Sequence, residues 1–398
     1  MIALQRGHDL PSQNRKDGTV PIMGSAGITG FHSEIKAKGP GVVVGRSGNS
    51  MGEVGFSLID YWPLNTCLYV TDFKGNDERY IYYLLQTIDF EQFNSGSAQK
   101  SLNRNAVYPY EVKVTESKEK QIQISKALSG LEEKIELNLK SNQTLEELAK
   151  AIFKSWFVDF EPTRAKLLAK ENGQDPELAA MAAIAGKRID ELESFSADQF
   201  AKLKSTAALF SDVLVETESR QVPEGWSVKK IADCVKRLSV GKKFSQKNAI
   251  EVGDVPILDQ GKSGIIGYHN EEPGVQASKE DPVIVFANHT CYMRLIMHDF
   301  SAIQNVLPFK GDDLNIFWLY QATFGKQDFI EYKGHWPDFS IKEIVVPNNS
   351  LDSVYGDFLK QNYFQVYENE KESANLKQLR DTLLPKLLSG ELEVASAN

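Results

Sequence analysis

Cysteine and histidine are scarce in this sequence, and neither is arranged for chemistry. The three cysteines, Cys67, Cys234 and Cys291, lie too far apart for a CxxC pair, a zinc-ligand cluster or a disulfide framework, so a reducing cytoplasm is the expected setting. The six histidines are scattered, which speaks against a metal centre; His32 and His269 are expected to finish turns at corresponding places. Long hydrophobic runs are missing as well. No basic segment leads into an apolar stretch at the N-terminus, and no window of about 18 residues is apolar throughout, so neither secretion nor a membrane span is expected. Positive charge is the remaining deficit: 45 Lys and Arg against 54 Asp and Glu leave a formal net charge of −9. A chain that wrapped nucleic acid with its whole surface would need the opposite balance, because nonspecific affinity comes from neutralising phosphates. Any DNA-binding face is therefore local, or shares its charge with a partner.

Catalytic signatures are absent too. Gly24-Ser25-Ala26-Gly27-Ile28-Thr29-Gly30 is GxxGxxG rather than GxGxxG and opens no βα cofactor unit, so it reads as a loop. There is no Asn/Asp-Pro-Pro-Tyr segment of a base-modifying methyltransferase and no GxxxxGK[ST] phosphate loop. Glu116-Ser117-Lys118 matches the carboxylate-x-lysine part of a metal nuclease, but without an upstream aspartate it reads as the start of a helix; Asp338 likewise has no Glu-x-Lys partner. No catalytic centre is expected in this chain.

What the sequence does contain is its own plan, twice, some 230 residues apart. Val20-Pro21-Ile22-Met23 followed by Gly30-Phe31-His32 resembles Val255-Pro256-Ile257-Leu258 followed by Gly267-Tyr268-His269. An apolar strand follows each, Val42 to Val44 and Val283 to Phe286, and strand-like runs close each half at Tyr110–Val114 and Ile344–Pro347. Each half then changes to helical period. Leu128, Leu131, Ile135, Asn138, Asn142, Leu145, Ala149, Ile152 and Trp156 advance in steps of three and four along one helix face. Leu359, Asn362, Val366, Asn369, Ser373, Leu376, Arg380, Leu383 and Leu387 do the same, with Arg380 a blemish on the stripe. Two stripes of equal length predict an antiparallel pair, in which Asn138 and Asn369 hold corresponding seam positions suited to fixing register. The divisions are a first domain over 1–115, a long helix over 116–158, a helical connector over 159–221, a second domain over 222–350, a second long helix over 351–390 and a tail over 391–398. The first half has no equivalent of the stretch from Trp226 to about Ser239 and reads as a shortened domain.

Candidate DNA contacts recur in both halves. Arg6, Arg15, Lys16 and Arg46 in the first and Lys242, Lys243 and Lys247 in the second are suited to phosphates. Ser95–Asn105, with Gln99, Lys100, Asn103 and Arg104, concentrates amide, hydroxyl and cationic groups that contact bases and phosphates. Its counterpart, Glu331–Trp336, offers a different chemistry in Tyr332, Lys333 and His335, as expected if two loops on one scaffold read different sequences.

Together with Leu4–Pro11, the Val20–Phe31 segment, Leu145-Glu146-Glu147-Leu148-Ala149-Lys150 and above all Leu379-Arg380-Asp381-Thr382-Leu383-Leu384-Pro385-Lys386-Leu387-Leu388-Ser389-Gly390, this plan resembles the specificity subunits of type I restriction-modification enzymes. The resemblance covers nearly the whole chain. It implies an α/β fold in which two mixed α/β target-recognition domains are joined by two long antiparallel helices in a pseudo-symmetric repeat. It also implies that each domain reads one part of a bipartite double-stranded DNA target, that the helices hold the domains apart and dock two methyltransferase subunits, and that restriction subunits join the assembly. S-adenosylmethionine would then belong to the methyltransferase partner, and ATP with Mg2+ to the restriction partner. The acidity and the shortened first half leave one alternative, a noncatalytic assembly scaffold that binds proteins through its helices with reduced DNA recognition.

Overall fold

The computed structural model describes residues 1–97, 99–261 and 264–394, so the tail predicted over 391–398 is described only as far as Val394. The first half folds as β1 (Ala3–Arg6), β2 (Val20–Gly24), β3 (Gly27–His32), β4 (Gly41–Gly45), β5 (Val54–Ser57), β6 (Trp62–Pro63) and β7 (Cys67–Asp72), followed by helices α1 (Glu78–Gln86), α2 (Arg104–Val107) and the long α3 (Lys118–Phe157). The connector is α4 (Glu161–Glu171), α5 (Pro176–Ala185) and α6 (Ala197–Ala207) with the ribbon β8 (Leu214–Glu216) and β9 (Gln221–Pro223). The second half runs β10 (Ser227–Lys230), β11 (Val235–Arg237), β12 (Lys243–Phe244), β13 (Val255–Leu258), β14 (Ile265–His269), β15 (Val283–Ala287), β16 (Met293–Ile296), β17 (Ser301–Ile303) and β18 (Val306–Gly311). It closes with α7 (Ile316–Thr323), α8 (Trp336–Ser340), β19 (Glu343–Val346) and the long α9 (Leu351–Ser389). Two compact units result, Met1–Leu139 with Glu370–Asn398, and Lys140–Asn369.

In the first unit, one sheet has the order β1-β7-β4-β5 and a second the order β3-β2-β6. Val42, Val43 and Val44 are all buried because β4 is an inner strand covered on both faces, which is why its apolar run does not alternate. One face meets α1 through Tyr80, Ile81, Leu84 and Leu85, and the same core takes in Leu128 from α3 and Leu384, Leu387 and Leu388 from α9. The Asp77 carboxylate caps α1 by accepting from the Tyr80 amide at 2.8 Å. Here α3 and α9 lie antiparallel: the Asn138 amide donates to Glu372 at 2.8 Å, Lys134 pairs with the same carboxylate at 3.1 Å, and Arg380 reaches Glu132 at 3.6 Å. The blemish on the stripe is thus an ion-pair partner across the seam.

The second unit repeats the plan, with sheets ordered β11-β18-β15-β16 and β12-β17-β13-β14. Its core is aromatic, with Phe286, Phe309, Trp318, Phe339 and Tyr355 all fully buried. The helices are antiparallel here too: Tyr355 donates to the Ala149 carbonyl at 2.9 Å, and the Asn369 amide donates to Asn142 at 2.7 Å. Every predicted seam residue of both stripes is buried or half-buried.

Two details of the repeat have a backbone cause. Gly30 and Gly267 adopt φ of +145° and +149°, beyond what a side chain tolerates, and a Cβ on Gly267 would meet the Ile250 carbonyl oxygen at 2.8 Å. The histidine that follows each is buried and accepts a backbone N–H at Nδ1, His32 from Lys16 at 3.0 Å and His269 from Glu271 at 3.1 Å, so both finish turns. Burial also pulls the His269 pKa down.

The structure corrects two expectations. The first half does have a counterpart of part of the Trp226–Ser239 stretch: β1 pairs antiparallel with β7 as β11 pairs with β18. Within that stretch, among the described residues, β10, which pairs with β19, has no counterpart. For the same reason Tyr110–Val114 is not a strand: it has no neighbour to complete a ladder, whereas β19 has one.

Candidate nucleic-acid interface

In the first unit, the C-terminal end of β1, the turn after β4 and the loop before α2 enclose a polar cleft of 580 Å³. Arg6, Arg46, Asn103 and Arg104 line it, together with Gln5, His8, Asp9, Ser95 and Ser101. Four of the predicted contacts are thereby brought to one place. The cleft is built rather than draped: the Leu102 amide donates to the Arg46 carbonyl at 2.8 Å, the Gly48 amide to Lys100 at 3.0 Å, and Asn94 accepts from the amides of Gly96 and Ser101 at 3.0 Å. Leu102, 1% exposed, plugs the loop into the core. Each of two guanidinium groups spends one donor on a carbonyl, Arg46 on Asn65 at 3.4 Å and Arg104 on Leu4 at 3.1 Å. A guanidinium has five N–H donors in a rigid fork, so one such bond exhausts neither group.

Other first-unit candidates lie elsewhere. Gln99 and Lys100 are exposed, Lys100 in an ion pair with Glu91. Arg15 donates to the Thr29 carbonyl at 3.0 Å and Lys16 pairs with Glu34 at 3.1 Å, which fastens them to the β2–β3 hairpin.

In the second unit the corresponding loop is fastened at the same point. The His335 amide donates to the Asn288 carbonyl at 2.8 Å, just as Leu102 does to Arg46, and both acceptors immediately follow the central strand. His335 is therefore a plug and not a reader, which corrects its assignment as a base contact: it is 0% exposed, and its Nε2 lies 3.0 Å from the Glu331 carbonyl. Tyr332, 82% exposed, projects from the loop beside His289, with ring centres 4.8 Å apart. Lys333 is held between Glu331 at 3.3 Å and Asp338 at 3.2 Å, and these carboxylates raise its pKa, Asp338 foremost. Lys242 is engaged by Glu271, while Lys243 and Lys247 are exposed.

Sequence reasoning missed the neighbours that complete this surface. Gln260 accepts from the His289 amide at 2.8 Å, and Arg294 donates to the Asp259 carbonyl at 2.9 Å beside the Tyr292 ring. The available signal was the repeat: aligning β15 on β4 puts Asn288 and His289 where Arg46 and Ser47 stand.

Among the described residues no cluster of His, Cys, Asp or Glu could hold a metal ion, and no helix is long and apolar enough to cross a membrane. All three cysteines are free thiols, with burial raising Cys67 to about 12 and Cys291 to about 11. Polar loops on two copies of one sheet scaffold describe a binding protein that presents surfaces.

Comparison with known sequences gives that class a definite form: residues 3–147 match the type I restriction modification DNA specificity domain. The chain is 30% identical over 317 residues to the type I restriction enzyme HindI specificity subunit of Haemophilus influenzae, a match covering 69% of this chain and 68% of that one. It is 23% identical over 384 residues to the MjaIX specificity subunit of Methanocaldococcus jannaschii, covering 87% and 77%. Its fold matches the crystal structure of a type I restriction-modification S subunit from M. genitalium at a TM-score of 0.57 and 16% identity, over 97% of this chain and 93% of that one. The chain belongs to the specificity subunits of type I restriction enzymes.

Proposed function

We propose that each unit reads one part of a bipartite double-stranded DNA target, the first through the Arg6–Arg46–Arg104 cleft and the second through the loops carrying Gln260, His289, Tyr332 and Lys333, with Lys243 and Lys247 on phosphates. The observation that carries this is the cleft, where three arginines and Asn103 converge on a loop whose backbone is fixed at both ends. Such groups make the phosphate and base-edge contacts that position and specify. The chain works in the cytoplasm and contributes no catalytic step. Its paired helices dock two methyltransferase subunits, which bring S-adenosylmethionine; restriction subunits bring ATP and Mg2+.

The test is methylation mapping and DNA binding with the reconstituted modification complex. Arg46→Ala and Arg104→Ala should each lower the slope of log K against log salt by about 0.9 for every phosphate the variant no longer neutralises. Tyr332→Ala should change discrimination at single base pairs by roughly 1–3 kcal/mol without changing the slope. Unchanged affinity, slope and preference in all three variants would overturn the assignment of these surfaces.

A further inference from the structure

Just after the central strand of the second unit, Asn288 is fastened three times. Its amide donates to the Asn305 carbonyl at 2.9 Å, its carbonyl accepts from the His335 amide at 2.8 Å, and its side-chain Oδ1 accepts from the Trp336 amide at 2.8 Å. His289 therefore starts from a pinned backbone. Its own amide donates to Gln260 Oε1 at 2.8 Å, and Gln260 is held in turn, its carbonyl accepting from the Thr290 hydroxyl at 2.5 Å.

These bonds decide which imidazole nitrogen carries the hydrogen. A backbone N–H only donates, so the oxygen of the Gln260 amide faces it and the NH2 end is turned to the ring. Gln260 Nε2 lies 3.5 Å from His289 Nδ1, and an amide nitrogen only donates, so Nδ1 is the acceptor. An acceptor nitrogen carries no hydrogen, which puts the ring hydrogen on Nε2. Tyr332 packs against the same imidazole with ring centres 4.8 Å apart, and His289 is half-buried. Among the described residues nothing accepts the Nε2 hydrogen.

We propose that His289 Nε2–H donates to N7 of a guanine in the DNA half-target of the second unit, with Gln260 as its positioning residue. The inference rests on the proposed DNA-reading role. With their contact margins the two rings span about 8 Å, wider than the roughly 6 Å minor groove and narrower than the roughly 12 Å major groove. In the major groove guanine shows two acceptors, N7 and O6, and no donor. Cytosine shows a donor that a fixed N–H repels, adenine sets a donor beside its N7, and thymine sets a methyl beside its O4. A lone donor locked by its neighbours fits guanine best. Gln260 spends its oxygen and an N–H on the imidazole and its backbone, so it acts through His289 and not on a base. The aligned place in the first unit is Ser47, bridged to Ser101, which offers no such ring.

The test uses the reconstituted modification complex and duplexes carrying every single-base-pair change of the target that methylation mapping defines. His289→Phe, which keeps a ring against Tyr332 without the donor, should lose roughly tenfold of its discrimination between guanine and cytosine at one position and none elsewhere. 7-Deazaguanine at that position lacks N7; it should weaken the parent by a similar factor and leave His289→Phe unaffected, and it does so without touching the protein. Gln260→Leu should relax the same position alone. Nitrogen-15 spectra of histidine-labelled full chain should show His289 with its hydrogen on Nε2 in the parent and a mixture of tautomers in Gln260→Leu. The proposal falls if His289→Phe keeps every preference, if 7-deazaguanine affects parent and variant alike, or if the parent carries the hydrogen on Nδ1. Should Arg46→Ala, Arg104→Ala and Tyr332→Ala be silent as well, DNA reading by these surfaces has failed; should they act while His289→Phe does not, only the guanine contact has.

Discussion

Replacing Asn142 with leucine tests whether the polar seam between the long helices is a specifying device. In the second unit the Asn369 amide donates to Asn142 Oδ1 at 2.7 Å, Asn142 donates to the Val366 carbonyl at 3.3 Å, and Gln365 donates to Asn369 at 2.7 Å. Asn142 is 8% exposed and Asn369 5%, so water does not replace the bond readily. Removing one partner from a buried hydrogen bond costs about 1–3 kcal/mol, whereas replacing both by apolar groups is nearly neutral or stabilising. Asn142→Leu and Asn369→Leu should therefore each destabilise by about 2 kcal/mol, and the double variant by under about 1 kcal/mol, a non-additivity well outside the few tenths expected of independent sites. For a unit of this size that is a fall of roughly 4–8 °C in each single variant and a recovery in the double. Scanning calorimetry of the full chain, following the transition of this unit, reads it. Single variants within about 0.5 kcal/mol of the parent, or strictly additive effects, would refute the reasoning. If the seam also fixes register, the double variant should be stable yet show less uniform helix pairing, since a polar seam residue sacrifices stability for one alignment.

Gly356 of α9 should resist the usual benefit of alanine: Gly→Ala inside a helix gains about 1 kcal/mol, but a Cβ here would lie 2.0 Å from Asn315 Oδ1, the cap of α7, so Gly356→Ala should lower thermal stability by about 1 kcal/mol net in calorimetry. His335→Ala should cost about 1–3 kcal/mol in stability and blur sequence preference only through a loosened loop; an unchanged melting temperature with a sharp shift in preference would return His335 to the reading surface.

Periodicity made the helices legible. A stripe in steps of three and four depends only on which side of a helix faces a neighbour, and every residue from Leu128 to Trp156 and from Leu359 to Leu387 that the steps select is turned inward. The buried run Val42–Val44 was legible for a similar reason, since a strand covered on both faces cannot alternate. The loops followed no such rule. His335 and Tyr332 are three residues apart and equally polar on paper, yet one is the plug and the other the tip, a difference set by a hydrogen bond to Asn288 that no spacing announces. Arg6, Arg46 and Arg104 come from three separate stretches: the antiparallel pairings of β1 with β7 and of β7 with β4 bring the first two together, and the Leu102–Arg46 and Gly48–Lys100 backbone bonds add the third. Lys242 looks free in the sequence because its carboxylate partner, Glu271, is distant, and Lys333 because the turn that brings Asp338 back beside it and Glu331 is not visible in the spacing.

The shared fastening of Leu102 to Arg46 and of His335 to Asn288 makes each of these loops resemble a cartridge: the peptide bond after the central strand is a common latch, and the exposed residues ahead of it are cargo. The latches are alike, but the sockets are not. Leu102 sits in a greasy hole, whereas His335 needs a carbonyl supplied by its own loop at Glu331. A loop moved from one half to the other must therefore travel with its plug, and under the proposed reading a substitution confined to the exposed tip changes the DNA address while leaving latch and core as they were.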